Sequence, residues 1–197
     1  YTNLNPMQAA NRFKIKATPV FYATKKAMDE GYPIIVNEGG SRSSKTYSEV
    51  QLLIHIADTR PGIRITMCSH SLPHVKKGIY RDFTKIMKEW NLWQESQFSY
   101  TDFIYTFTNG SYIEMFGLDD PTKAHGPSRD ILFINEANLI SKALFDQLAM
   151  RTTGQILLDL NPSEFNSWVY KLADTPGNKK IHSTYRNNLT NLSPNQI

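Results

Sequence analysis

At 197 residues and 22.6 kDa the chain suits one domain with a sizeable core, or at most two small ones. With 40% hydrophobic, 12% aromatic and 20% charged residues it is not a disordered chain, and its single cysteine, Cys68, excludes an internal disulfide framework or a multi-cysteine metal site. The net charge of +4 is uneven, with 14 Lys/Arg against 8 Asp/Glu in residues 1–100 and 8 against 10 in the rest, a weak pointer to a polyanion partner. No apolar run approaches the roughly 20 residues of a membrane span. The polar start, Tyr1-Thr2-Asn3, has neither a methionine nor a secretory pattern and reads as a trimmed end of a protein from a reducing compartment.

Residues 1–30 form a lead-in ending in a predicted helix over Val20–Asp29, closed by Gly31 with Pro33 behind it. Ile34-Ile35-Val36 then enters a Gly/Ser-rich loop, after which Val50, Leu53, Ile54 and Ala57 recur at helical spacing. Pro61-Gly62 marks a turn and Ile63–Cys68 alternates like a strand. Pro73 opens an amphipathic helix with Val75, Ile79, Phe83, Ile86, Met87 and Trp90 on one face. Its other face carries Lys76, Lys77, Arg81, Lys85 and Lys88, which either are simply solvated or track DNA phosphates.

Phe103–Phe107 and Tyr112–Phe116 flank Asn109-Gly110, a strong hairpin signal. Ile131–Ile134 reads as a strand buried on both faces of a parallel sheet. Ser141 caps a helix running to about Met150, Ile156–Leu160 stops at Asn161-Pro162, and Lys180–Thr184 is a last strand. These elements predict an α/β fold: a central, mostly parallel sheet flanked by helices, with an inserted antiparallel hairpin.

The richest feature is the strand–loop–helix at residues 34–57. Such a loop aims backbone N–H groups and the positive helix end at one point, which suits phosphate. Gly39-Gly40-Ser41-Arg42-Ser43-Ser44-Lys45-Thr46 follows the phosphate-loop pattern with Ser44 in place of its second glycine. Lys45 would neutralise the β/γ-phosphates and Thr46 would bind Mg²⁺. The plainer alternative is a polar loop that caps a helix. Asn135-Glu136, directly after the Ile131–Ile134 run, sits where a carboxylate can reach the metal or the attacking water. His55, His70, His74, His125 and His182 lack the spacing of a zinc site.

These residues resemble a specific family. The loop at 39–46, Phe116-Gly117-Leu118-Asp119-Asp120-Pro121, Phe133-Ile134-Asn135-Glu136-Ala137, Leu160-Asn161-Pro162 and the closing His182-Ser183-Thr184-Tyr185-Arg186-Asn187-Asn188 are similar, in this order, to the ATPase half of tailed-bacteriophage large terminase subunits. The resemblance runs from about Pro19 to Asn188. It implies a P-loop NTPase of the additional-strand, catalytic-Glu type that uses ATP and Mg²⁺ to drive double-stranded DNA through a portal into a procapsid. It implies a catalytic Glu136, an Arg42 contacting the γ-phosphate or Glu136, and an Asn161 that couples nucleotide state to its surroundings. Partners would be the portal protein, the small terminase subunit and further copies in a ring, with the protein docked at the procapsid in the host cytoplasm. Residues 1–188 would be the ATPase domain and 189–197 the start of a linker to a nuclease domain outside this chain.

Two departures from the family pattern stand out. Asn135 replaces the acidic residue that usually precedes the catalytic Glu, and an amide is a poorer second ligand for Mg²⁺. His125 stands where an arginine is common, leaving Arg129 as the nearest candidate arginine finger. Gln8 is a slight candidate for reading adenine, and Phe21 or Tyr22 for packing on the base or on the core. The alternatives are another P-loop ATPase, such as a helicase, or a nucleotide- or nucleic-acid-binding module that does not hydrolyse.

Overall fold

The computed structural model describes residues 17–40, 42–120, 122–123, 126–162 and 168–191. Helix α1 (Pro19–Asp29) starts at a proline, and the Thr18 hydroxyl accepts the Phe21 N–H. It leads to β1 (Ile34–Gly39), the loop, and α2 (Lys45–Thr59). Strand β2 (Arg64–Ser69) is followed by α3, in which Leu72–Val75 passes through a π turn at Lys76–Tyr80 into Arg81–Glu89.

Three strands come next: β3 (Phe98–Ser99), β4 (Ile104–Thr106) and β5 (Tyr112–Gly117). Then follow β6 (Arg129–Asn135), α4 (Lys142–Ala149) capped by the Ser141 hydroxyl, β7 (Thr152–Leu160), α5 (Trp168–Ala173) and β8 (Lys179–Ser183). All eight strands form one sheet in the order β3-β4-β5-β2-β6-β7-β1-β8. The six from β5 to β8 run parallel, and the antiparallel part is β3 and β4 at one edge.

The continuous apolar runs are explained by helices on both faces. Along β6, Ile131 and Phe133 pack into the layer of α1, α2 and α3, whereas Leu132 and Ile134 pack into the layer of α4 and α5. The whole apolar stripe of α3 (Val75, Ile79, Phe83, Ile86, Met87) is buried, with Trp90 half-buried. The hairpin forms between β4 and β5, but its connection is longer than a two-residue turn. Phe107 N–H bonds Ser111 O, and Asn109 donates its amide to Ala57 O (2.8 Å) and Asp58 O (3.0 Å) at the end of α2. The loop thus satisfies carbonyls left open by that helix terminus. Strand β3 and helix α5 were not legible as elements, being 2 and 6 residues long and lacking a measurable period.

Two glycines of the motifs are required by close approach. A side chain on Gly39 would run into Ser183 of the neighbouring β8, and one on Gly117 into the backbone of Ser71 and Leu72 where α3 begins. Asp119 follows on that turn and accepts the Leu72 N–H at 3.1 Å. The Phe116–Asp119 motif therefore docks β5 against the start of α3.

Candidate functional site

Strands β1, β7 and β6 are neighbours, and the loops at their C-terminal ends meet over one open cavity of about 940 Å³. Crevices at the carboxyl ends of parallel strands are where such sheets bind ligands. Arg42, Ser43, Ser44, Lys45 and Thr46 line it together with Gly40, Asn135, Glu136 and Asn161.

The loop backbone is bent as a phosphate cradle requires. Arg42 (φ 69°) and Ser44 (φ 63°) both adopt the left-handed region, so Ser44 holds the conformation for which the pattern places glycine, at a cost of about 1 kcal/mol or more. Asn188, from the closing segment, ties the loop down by donating to Arg42 O at 2.8 Å. Ser41 lies outside the described residues, as do Gln8 and His125.

Lys45 is only 7% exposed. Its ammonium donates to Gly39 O (2.7 Å) and Asn161 Oδ1 (3.0 Å), with Gly40 O at 3.4 Å and Ser43 Oγ at 3.5 Å. All four acceptors are neutral, and phosphate oxygens would compete for the same protons. Asn161 thus reaches the loop lysine directly, through the one side chain that bound phosphate would draw away.

Asn135 and Glu136 stand at the end of β6, beside the loop. Glu136 is half-buried and is itself left-handed (φ 54°). Its N–H donates to Asp159 Oδ1 at 2.7 Å. Asn135 turns its amide nitrogen toward Asp159 (2.9 and 3.0 Å) and Thr46 Oγ1 (3.2 Å). Thr46 donates its hydroxyl to Asp159 Oδ2 at 2.5 Å.

Asp159 was not singled out from the sequence, although a carboxylate within the apolar run Ile156–Leu160 was the available signal. It is 1% exposed. Behind it lies Glu49 of α2, fully buried, with Oε1 accepting the Asn37 amide at 2.6 Å. Burial, and then the adjacent Asp159 charge, push the Glu49 carboxyl well above the usual carboxylate range. Its second oxygen, Oε2, is buried without a hydrogen-bond partner among the described residues. Thr24 extends this buried polar chain by donating to Asn37 Oδ1 at 3.2 Å.

Spacing also missed the pairing of His70 with His74. Their rings lie 3.8 Å apart, and one ligand atom from each lies within 4.8 Å of the others and of the Glu136 carboxylate. Burial, and then the neighbouring His74, hold the His70 pKa below the usual imidazole range.

Position separates the remaining basic candidates. Arg129 is the first residue of β6, at the far end of the strand from Glu136, and is 1% exposed. It does not line this cavity. The arginines that do line the cavity are Arg42 and Arg81. The basic face of α3 is also divided: Lys77, Arg81 and Lys85 line the cavity, whereas Lys76 and Lys88 lie over the rings of Phe103 and Trp93. Phe21 is in the core and Tyr22 is exposed, and neither lines the cavity.

Residues 32–196 match the family described as phage terminase large subunit. No protein of curated function matches the sequence. Among solved structures, the large terminase of a thermophilic bacteriophage superposes with a TM-score of 0.73 at 18% identity, over 96% of this chain and 47% of that one. The large terminase ATPase domain of Thermus phage P74-26 superposes with 0.70 at 14% identity, over 92% and 86%. The HK97 bacteriophage large terminase gives 0.64 at 10% identity, over 88% and 36%. The first of these three terminases has been solved in complex with ADP and with ATP-gamma-S. At these identities the likeness is one of fold, and the chain spans about half the length of that first terminase.

Proposed function

Because the chain belongs to the phage terminase large subunit family, we propose that it is the ATP-hydrolysing motor domain of such a subunit, driving double-stranded DNA into the procapsid. The observation that carries this reading is the convergence of Lys45, Thr46, Asn135, Glu136 and Asn161 on one cavity at the ends of β1, β6 and β7. The backbone of residues 42–46 cradles the phosphates, and Lys45 exchanges its neutral acceptors for their oxygens. Mg²⁺ fits the donor set, which is all oxygen: the Thr46 hydroxyl and the Asn135 amide, with a carboxylate at their back. Bound there, it would neutralise phosphate charge.

Glu136 orients the attacking water and accepts its proton, and in-line displacement leaves ADP and phosphate. Arg42 and Arg81 are the guanidiniums placed to stabilise charge on the transferring group. Asn161 couples hydrolysis to movement, because it holds Lys45 when phosphate does not.

On this reading residues 1–188 form the ATPase domain and 189–197 begin a linker to a nuclease domain, so nuclease activity belongs to the full-length protein alone. The partners are double-stranded DNA, the portal protein, the small terminase subunit and further copies in a ring, at a procapsid in the host cytoplasm. Phosphate release from ATP by the purified chain tests the proposal. Measurable turnover that is lost in Lys45→Ala and in Glu136→Gln is expected. Nucleotide binding without any turnover, even at high protein concentration, overturns it.

A further inference from the structure

We propose that Asp159, on β7, is the carboxylate that charges the cation site, doing from the neighbouring strand what Asn135 at the end of β6 cannot. The inference rests on the nucleotide reading above. A divalent cation shared with phosphates needs hard oxygen donors and a nearby negative charge. Asn135 offers no charge, and its amide nitrogen is turned to both Asp159 oxygens at 2.9 and 3.0 Å. That side chain holds the carboxylate in place.

Asp159 is 1% exposed, and its partners at the cavity floor are neutral donors: Asn135, the Glu136 N–H and the Thr46 hydroxyl. A carboxylate is costly to bury unless its charge is answered. Here the three groups that bond it, Thr46, Asn135 and Glu136, all line the cavity. By accepting the Thr46 hydroxyl hydrogen bond at 2.5 Å, Asp159 fixes the hydroxyl so that the lone pair not facing the Asn135 amide (3.2 Å) is left for the cation, and supplies the negative charge behind it. Asp159 is in this sense a positioning residue acting through Thr46. The same carboxylate fixes Glu136, whose left-handed backbone it anchors through the N–H.

The cation site is thus built from an exchange, an amide at the end of β6 and an acid one strand over. The experiment measures Mn²⁺ binding by electron paramagnetic resonance with ADP present, and ADP affinity in EDTA, for the wild-type chain, Asp159→Asn, and Asn135→Asp combined with Asp159→Asn. Thermal melting checks that each is folded. Asp159→Asn is expected to weaken Mn²⁺ binding at least about tenfold while leaving ADP affinity in EDTA within about twofold. The double exchange, which returns one carboxylate and one amide to the same floor, is expected to recover most of the Mn²⁺ affinity.

If wild type binds ADP and folded Asp159→Asn holds Mn²⁺ within twofold of it, this inference is overturned and the nucleotide reading stands. It is equally overturned if Asp159→Asn fails to fold and the double exchange folds but does not hold Mn²⁺, or if neither variant folds, because Asp159 then serves the core. A wild type that binds no ADP in either condition overturns the nucleotide reading and this inference with it.

Discussion

The two ends of β6 treat charge in opposite ways. At its start, Asp130 meets Arg64 in a two-pronged pair, Nη2 to Oδ1 at 2.8 Å and Nε to Oδ2 at 3.1 Å, and also accepts the Arg64 N–H and the Thr153 hydroxyl. At its finish, the Lys45 ammonium and the Asp159 carboxylate lie close to Thr46 and Asn161, yet each is bonded to neutral groups. Three residues around that end, Arg42, Ser44 and Glu136, also hold left-handed backbone. The Arg64–Asp130 pair closes its charges on each other, although beside it the Arg129 guanidinium is buried with Nε and Nη1 lacking hydrogen-bond partners among the described residues. The other end keeps cation and anion apart and stores strain, an arrangement that makes sense where a polyphosphate and its metal complete the set.

The comparison is tested most severely at the strained end. Glu136→Gln, which keeps shape and removes the base, is expected to lower phosphate release by at least about 100-fold, within the range of a lost general base, with thermal stability little changed. A melting temperature that fell with turnover would mean that Glu136 closes the structure as Asp130 does, and the contrast between the two ends would fail.

A middle-sized effect is expected at Glu49, which joins the strained end to the core. Its folded pKa is raised, so the native state keeps a proton that the unfolded chain loses above about pH 4.5. Wild-type stability should therefore decline as pH rises beyond that value. Glu49→Gln, which still accepts from Asn37, should remove that decline and gain on wild type as pH rises above about 4.5. Glu49→Leu should cost about 2 kcal/mol, because it strands both partners in the interior. Denaturant titrations across this pH range separate the two. A Gln variant that tracked wild type at every pH would show that Glu49 is not held protonated.

What the sequence could show of this follows from how each signal is carried. Strands β1, β6 and β7 were legible because a sheet covered on both faces needs apolar residues without alternation, and β2 because Ile63–Cys68 alternates. The loop at 39–46 was legible because a bent backbone at a helix start restricts residue choice over adjacent positions. Glu136 was visible by adjacency to Ile131–Ile134. Asp159 and Glu49 were not, because their meaning is spatial. An acid 24 residues beyond Asn135 in the chain becomes its neighbour only once β6 and β7 pair, Ile134 beside Leu158. Arg129 shows the converse: nearness to Glu136 along the chain becomes the length of a strand in space. The lysines of α3 were half legible, since periodicity gave their common face but not that the cavity lies under part of it.

The smallest effect belongs to the closed end. Arg64 hydrogen bonds outweigh burial and hold the Asp130 carboxyl down at about 2, below the ordinary 3.8. A carboxylate with a depressed folded pKa contributes its stability above the unfolded value and loses it as pH falls through the folded one. Asp130 should therefore support the fold fully above about pH 4 and cease to near pH 2. Solvent reaches the pair, with side chains 36% and 31% exposed, so screening reduces the contribution to about 1 kcal/mol. Asp130→Asn should be less stable than wild type by that amount at pH 7, with the deficit vanishing as pH approaches 2, and its phosphate release at pH 7 should match wild type. Equal turnover with a pH-dependent deficit would show that charge closed at the start of β6 is electrically separate from charge held open at its finish. A fall in turnover would show instead that the strand transmits one end to the other.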